Sequence, residues 1–422
     1  ESNGELYQQK MLEHISSLMA SKDQHLKRSS EFISSSEKRQ FVVILDNADQ
    51  RDFETQQSAF VISQELAKDW QAAVFIAVRP HTFYRSKRSG ALSAYPHRIF
   101  TISPPRVDLV VEKRLKFALS MAEGSGYPSV GGDITVDAKN LALFLRALIN
   151  SLSRNRKLGE FLDNITGGNV RAVIELVSSF IGSPNVQAKK IIEIMEGKKG
   201  NSKDSYIVPV HEFSKAALLG NFSHYSHETS IAMNMFEVSE PDRHEHFLVP
   251  IILGYMDSDG SHKDRDGFCK ISCIVSEAQA CGFHAQQIDN ALQRLVNKRL
   301  IEVSQRITYE EDEAGVLDDQ PDSFRITSVG VYHLKRWMGT FAYLEAMLFD
   351  TPVFEVSIFD EICKDIESFD IGKRYARAVI FRDYLLDVWK AFPRKPAYMD
   401  FLRYVAAEKG SFSKVKEALK VH

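Results

Sequence analysis

Apolar residues along the first hundred positions follow two rhythms. The unbroken run Phe41-Val42-Val43-Ile44-Leu45 is rich in β-branched types and closed by the acidic turn Asp46-Asn47-Ala48-Asp49, which predicts a strand buried on both faces of a parallel sheet. A second run, Ala72-Ala73-Val74-Phe75-Ile76-Ala77-Val78, ends in Arg79-Pro80. A third, Arg98-Ile99-Phe100-Thr101-Ile102, ends in Ser103-Pro104-Pro105, where tandem prolines cannot continue a central strand. Between the first two runs, Phe60, Val61, Leu66 and Ala67 return at helical spacing and predict a helix over 55–70. Ahead of them, residues 6–19 read as an amphipathic helix and 21–39 as polar helix and loop.

From residue 106 the helical rhythm takes over, with helices predicted at 107–122, 137–152, 157–165 and 169–181 and a Gly-rich loop at 124–132. In Thr166-Gly167-Gly168-Asn169-Val170-Arg171 the glycines end one helix, Asn169 is suited to cap the next, and Arg171 sits in that helix's first turn. A polar run at 197–203 opens a connector that reaches 240. A helix at 247–256, a short strand at 268–272, helices at 274–280 and 284–298, strands at 300–306 and 324–327 and a helix from Gly330 to Trp337 then follow the order of a winged helix. The last stretch is helical, broken at Asp350-Thr351-Pro352, with Tyr375, Phe381, Tyr384, Leu385 and Trp389 supplying an aromatic face for a core. The expected division is therefore an α/β core at 1–105, an all-α segment at 106–196, a connector at 197–240, a winged helix at 241–340 and a helical region at 341–422.

Composition narrows the class. The 422 residues suffice for several cores, and 44% hydrophobic with 26% charged is ordinary for a soluble globular chain. A formal net charge of −3 gives no whole-chain attraction to nucleic acid or to an anionic membrane. No apolar run is long enough to span a bilayer and no signal-peptide core opens the chain, so a cytoplasmic protein is expected. Four cysteines in so long a chain point to a reducing compartment.

The chemistry gathers at Asp46. A buried parallel strand ends at the sheet's carboxyl edge, where open α/β sheets bind ligands, and a carboxylate there holds Mg²⁺ directly or through water. A second acid just beyond, Asp49, is placed to position or deprotonate an attacking water. The pattern resembles the Walker B strand of P-loop NTPases of the AAA+ and STAND kind, and the all-α segment resembles their helical lid. The resemblance implies ATP with Mg²⁺ as ligands, and it implies that Arg79, at the sensor 1 position, reads the γ-phosphate. It further implies an arginine finger, supplied to a neighbouring subunit from just ahead of the last core strand, for which Arg98, Arg88 and Arg85 are candidates in that order, a solvated basic loop being the competing reading of each. Gly168-Asn169-Val170-Arg171 resembles the sensor 2 motif of AAA+ lids, with Arg171 as its cation. Val170 stands where STAND lids carry proline, which draws the match toward the initiator-like AAA+ branch. Asn47 occupies the place of the catalytic glutamate, and an amide orients water without taking its proton, so slow turnover is expected, as in a switch. Such proteins assemble homo-oligomers or license an effector, in bacteria often against phage.

No Gly-x-x-x-x-Gly-Lys-[Ser/Thr] loop precedes Asp46. Either that loop lies ahead of Glu1, which is the expectation, or the core is a degenerate, non-hydrolysing scaffold. A DNA-binding regulator or initiator is the other alternative. The third winged-helix segment offers Gln286, Gln287, Asn290, Arg294 and Lys298 for groove contacts, while the acids in 309–313 and 318–322 put negative charge where a wing meets phosphate. His224, His227, His244 and His246 lack helical zinc spacing; Cys269, Cys273, Cys281 and His284 invite a zinc reading, against which the helix and strand placement buries the thiols as small apolar fillers.

Overall fold

The computed structural model describes residues 2–48, 51–70, 72–78, 98–100, 102, 105–124, 138–197, 206–303 and 323–420. The chain divides into two units, one spanning Glu1–Ile102 and the other formed by Ser103–Gln305 with Leu317–His422. The fold is mostly helical, with a small parallel sheet in the first unit. Among the described residues no helix is long and apolar enough to cross a membrane.

The first unit opens with helices α1 (Ser2–Ala20) and α2 (Lys22–Ser35), followed by β1 (Val42–Leu45), α3 (Phe53–Asp69) and β2 (Ala73–Ile76). Asp52 caps α3 by accepting from the Thr55 amide at 2.9 Å and the Thr55 hydroxyl at 2.7 Å, which holds its carboxyl below the usual range. Ser30 Oγ donates to the Trp70 carbonyl at 3.2 Å and ties α2 to the end of α3. β1 and β2 pair in parallel, Val42 opposite Ala73 through Leu45 opposite Ile76, as a βαβ unit requires. The pairing corrects one expectation: the strands are not covered on both faces. Val42, Ile44 and Phe75 share a face, and they are 50%, 68% and 47% exposed, while Val43, Leu45, Val74 and Ile76 on the other face are half-buried. The third expected strand is also absent among the described residues. Residues 98–100 and 102 join no ladder, and Phe100 meets Phe75 only through their rings, 6.3 Å apart.

The second unit begins with five helices, α4 (Val107–Glu123), α5 (Ala138–Arg154), α6 (Arg156–Thr166), α7 (Val170–Gly182) and α8 (Ala188–Met195). Their apolar stripes close on one another around Leu148, Leu158, Phe161, Leu162, Val173 and Phe180. The stretch read as a connector holds α9 (Val210–Leu219), whose Phe213 stacks on Phe180 with ring centroids 3.8 Å apart. Next come α10 (Leu248–Asp257), β3 (Cys269–Lys270), α11 (Ile271–Ala280), α12 (Ala285–Asn297), β4 (Ile301–Val303) and β5 (Ser323–Ile326). The antiparallel sheet has the order β3-β5-β4, with β5 central. After it, α13 (Ser328–Tyr332) continues as a π-helical turn, His333–Trp337. Gly330 in α13 is fixed by contact, because a Cβ there would fall on the Leu300 carbonyl oxygen. Helices α14 (Phe341–Met347), α15 (Val356–Cys363), α16 (Ile371–Ala391), α17 (Phe401–Ala407) and α18 (Lys409–Lys420) complete the chain, and Phe381, Tyr384, Leu385 and Trp389 are buried as the aromatic pattern predicts.

These pieces share a single apolar cluster that runs from Val107 to Phe412. An irregular segment, Ser230–Phe236, with bends and a turn, passes through it with Ala232, Met233, Asn234, Met235 and Phe236 all buried. Backbone groups in such a place need partners. The Met233 amide donates to His333 Nε2 at 3.4 Å, the Met235 amide to the Tyr343 hydroxyl at 3.1 Å, and the Phe236 amide to Asn234 Oδ1 at 3.0 Å. Asn234 Nδ2 donates in turn to Asp350 and to Thr351 Oγ1.

Candidate functional site

Parallel pairing sends the carboxyl ends of β1 and β2 to one sheet edge. Asp46 leaves β1 at that edge, and Ala77 follows β2 there, its amide donating to the Leu45 carbonyl at 2.9 Å. The strand stops abruptly at Asn47, which takes the left-handed conformation at φ 60°, a turn that asparagine tolerates better than most side chains. The Asn47 amide donates to Asp46 Oδ1 at 2.8 Å, so the turn orients the carboxylate. Asp46 is exposed and falls on the same face as Val42 and Ile44. Asp49 and Arg79 lie outside the described residues. Arg98 is described and exposed, in the segment that joins no sheet.

The Gly-Gly-Asn motif of the second unit takes the local form its sequence predicts. Gly167 and Gly168 adopt left-handed φ of 61° and 73°, and the Gly168 amide donates to the Asp163 carbonyl at 2.9 Å, ending α6. Asn169 Oδ1 then accepts from the amides of Arg171 at 2.9 Å and Ala172 at 3.2 Å, starting α7. Arg171 is exposed in the first turn. Asp46 and Arg98 thus belong to the first unit, and Asn169 and Arg171 to the second.

The helix considered for DNA contact, α12, requires a correction. Gln287 is buried, donating to Glu245 Oε2 at 2.9 Å and accepting from the His284 amide at 2.9 Å. Arg294 Nη1 pairs with Glu237 at 2.9 Å, and Lys298 Nζ donates to the carbonyls of His227 and Ser230, the latter at 2.7 Å. Burial pushes the Lys298 ammonium below its ordinary range. Three of the five residues assigned to the outer face therefore bind the chain's own interior, because α12 packs against residues 227–245 as well as against its helical neighbours. Gln286, Asp289, Gln293 and Asn297 form the exposed row, which carries no cation. The acidic stretches 309–313 and 318–322 lie outside the described residues.

Sequence reading missed the buried polar centres of the second unit. Glu245 is fully buried, and its carboxylate accepts from the Ser239 amide at 2.8 Å, the Ser239 hydroxyl at 2.6 Å, the Glu240 amide at 3.0 Å and Gln287. His246 is held between the Phe236 carbonyl at 2.6 Å and the Tyr384 hydroxyl at 3.0 Å, and His333 between the Val329 carbonyl at 2.9 Å and the Met233 amide. Burial lowers both imidazoles to about 4. Their only sequence signal is the odd placement of His246 and His333 inside apolar periods. Burial also raises the thiols of Cys269 and Cys281, consistent with a packing role. Among the described residues, no three His, Cys, Asp or Glu side chains gather closely enough to hold a metal ion. No protein-family model matches the chain, and neither a search of curated proteins nor one of solved structures finds a match.

Proposed function

We propose that the protein is an ATP-binding, slowly hydrolysing switch of the AAA+/STAND type, in which nucleotide state sets a rearrangement that is read by an oligomer or an effector. The observation that carries the reading is the parallel β1–β2 pair, with Asp46 at its carboxyl edge on a turn that orients the carboxylate. A helical segment bearing a capped Gly-Gly-Asn-Val-Arg turn, followed by a sheet-and-helix module of winged-helix connectivity, supports it.

Asp46 fits magnesium by its chemistry: a hard oxygen donor beside a nucleotide completes a coordination sphere that phosphates and waters otherwise fill. When bound, the ion would neutralise charge on the transferring phosphoryl group. In this reading the chain's own residues orient and sense. Asp46 holds the metal edge, Asn47 orients water without deprotonating it, and Asp49 is the acid left for that proton. Arg79 and Arg171 read the γ-phosphate from core and lid, and Arg98 reaches a neighbouring subunit.

The test is equilibrium binding and turnover of ATP and ADP by the native protein. Asp46→Asn should abolish hydrolysis and magnesium dependence with an unchanged circular dichroism spectrum, and Arg171→Ala should narrow the preference for ATP over ADP. No binding of either nucleotide, or undiminished turnover in Asp46→Asn, refutes the reading. A second reading, a non-hydrolysing scaffold that docks a partner, is favoured by one observation: the exposed apolar face of Val42, Ile44 and Phe75. Nucleotide-independent partner capture lost on Ile44→Asp would support it.

A further inference from the structure

A pocket of about 40 Å³ opens in the second unit where α9, α14 and the start of α16 meet the loops that hold Asn185, His224 and Ser368. Its wall carries three cations, Lys215, Arg374 and Arg377, and one carboxylate, Glu345. That carboxylate is committed: Arg374 Nε and Nη2 grip its two oxygens at 2.9 Å each. Lys215 donates to the Asn185 carbonyl at 3.3 Å, and Arg377 donates to the carbonyls of Asp365 and Ser368 and stands over the Phe349 ring at 5.9 Å. Among the described residues no acid lies within ion-pair distance of either. Arg377 is 3% exposed, and its Nε is buried with no hydrogen-bond partner. Burial lowers the basicity of both Lys215 and Arg377, the Arg374 charge adds to it, and the carboxylates of Glu212 and Glu345 on the first and of Glu345 and Asp365 on the second offset it in part.

A buried guanidinium with an unpartnered nitrogen and a half-buried ammonium, neither of them in an ion pair among the described residues, are stabilised if something anionic joins them. We infer that this pocket binds a tetrahedral oxyanion of the phosphate type, seated between Lys215 and Arg377 beside the His224 ring. A guanidinium edge and an ammonium on one side of such a group give charge-assisted hydrogen bonds. His224 lines the pocket and packs against Phe349, with ring centroids 4.3 Å apart and the planes tilted by 53°. The volume suits two or three waters or a single small anion, and it excludes a base or sugar. The ligand is therefore free phosphate or the terminal phosphate of an ester whose remainder stays outside, past the exposed Phe369 ring.

The experiment is calorimetric titration and thermal melting of the whole chain with inorganic phosphate and, separately, glycerol 3-phosphate, each against sodium chloride at matched ionic strength. A saturable melting-temperature rise with either ligand, weakened at least tenfold by Lys215→Gln and abolished by Lys215→Glu, upholds the site. Phosphate alone assigns the free ion, and glycerol 3-phosphate alone assigns an ester. Lys215→Gln removes a half-buried charge without stranding Arg377, so that variant should fold as the parent does in chloride. A shift that never saturates, one unchanged in Lys215→Gln, or none with either ligand overturns the inference.

Discussion

Acidification from about pH 7.5 to about pH 5.5 should destabilise the second unit through His246 and His333. In the folded chain both titrate near 4, against 6.5 for an exposed imidazole. Between those values the unfolded chain takes up protons that the folded chain refuses, so the stabilisation is complete above 6.5 and is lost as the pH falls toward 4. One pH unit below the unfolded value withdraws about 1.4 kcal/mol per histidine, or about 3 kcal/mol for the pair at about pH 5.5. Burial raises the carboxyls of Asp350 and Glu408, and their effect has the opposite sign, since a carboxyl held up in the folded chain stabilises it as the pH falls. His211 is shifted in the same direction as the pair, but its side chain is 69% exposed and adds little. Urea unfolding followed by tryptophan fluorescence in a Trp70→Phe background reports this unit, since Trp337 and Trp389 are both buried in it and Trp337 lies 4.9 Å from the His333 ring. In His333→Gln the pH difference should shrink by about half, because one of two equal contributors is gone. A midpoint unchanged between the two pH values, or His246 and His333 imidazole signals, assigned by substitution, that titrate above pH 6 in the folded protein, refutes the reasoning.

Replacing Glu245 with alanine strands four donors in the interior and should cost about 3 kcal/mol, with Glu245→Gln milder; chemical denaturation measures both, and a loss within error would mean that water serves those donors. Asn169→Ala should remove about 1 kcal/mol by uncapping α7, while Asn169→Asp should be near neutral, as read from thermal melts. Lys298→Ala should lower stability by about 1 kcal/mol and leave duplex-DNA retention at low salt unaltered; a drop in retention at constant stability would put that side chain at an interface instead.

Long periodic segments were the most legible. The helices expected at 107–122, 157–165 and 169–181 occur as Val107–Glu123, Arg156–Thr166 and Val170–Gly182, because a stripe repeated over three turns leaves little freedom. The β1 strand and the cap at Asn169 were equally readable, each resting on chemistry a few residues wide. Burial was less so. Val42 and Ile44 look like core in the sequence, since an unbroken apolar run reads alike whether one face or two are covered. On α12, Arg294 and Lys298 pass for surface residues because their partners, Glu237, His227 and Ser230, stand far away along the chain. The same distance hides the pocket, whose cations come from α9 and α16 and whose sole acid comes from α14.

The threaded segment Ser230–Phe236 decides how the chain can be cut. Its amides are served by His333 and Tyr343, and the Trp337 indole donates to Ser214 Oγ at 2.8 Å while its ring packs 5.6 Å from Phe161. Residues 241–340 are therefore no portable cassette: excised, they would leave behind a furrow lined with orphaned hydrogen-bond donors and lose the rings that fill their own interior. Protease fragments, domain transplants and recombination between homologues should tolerate breaks near 102 far better than any between 206 and 347.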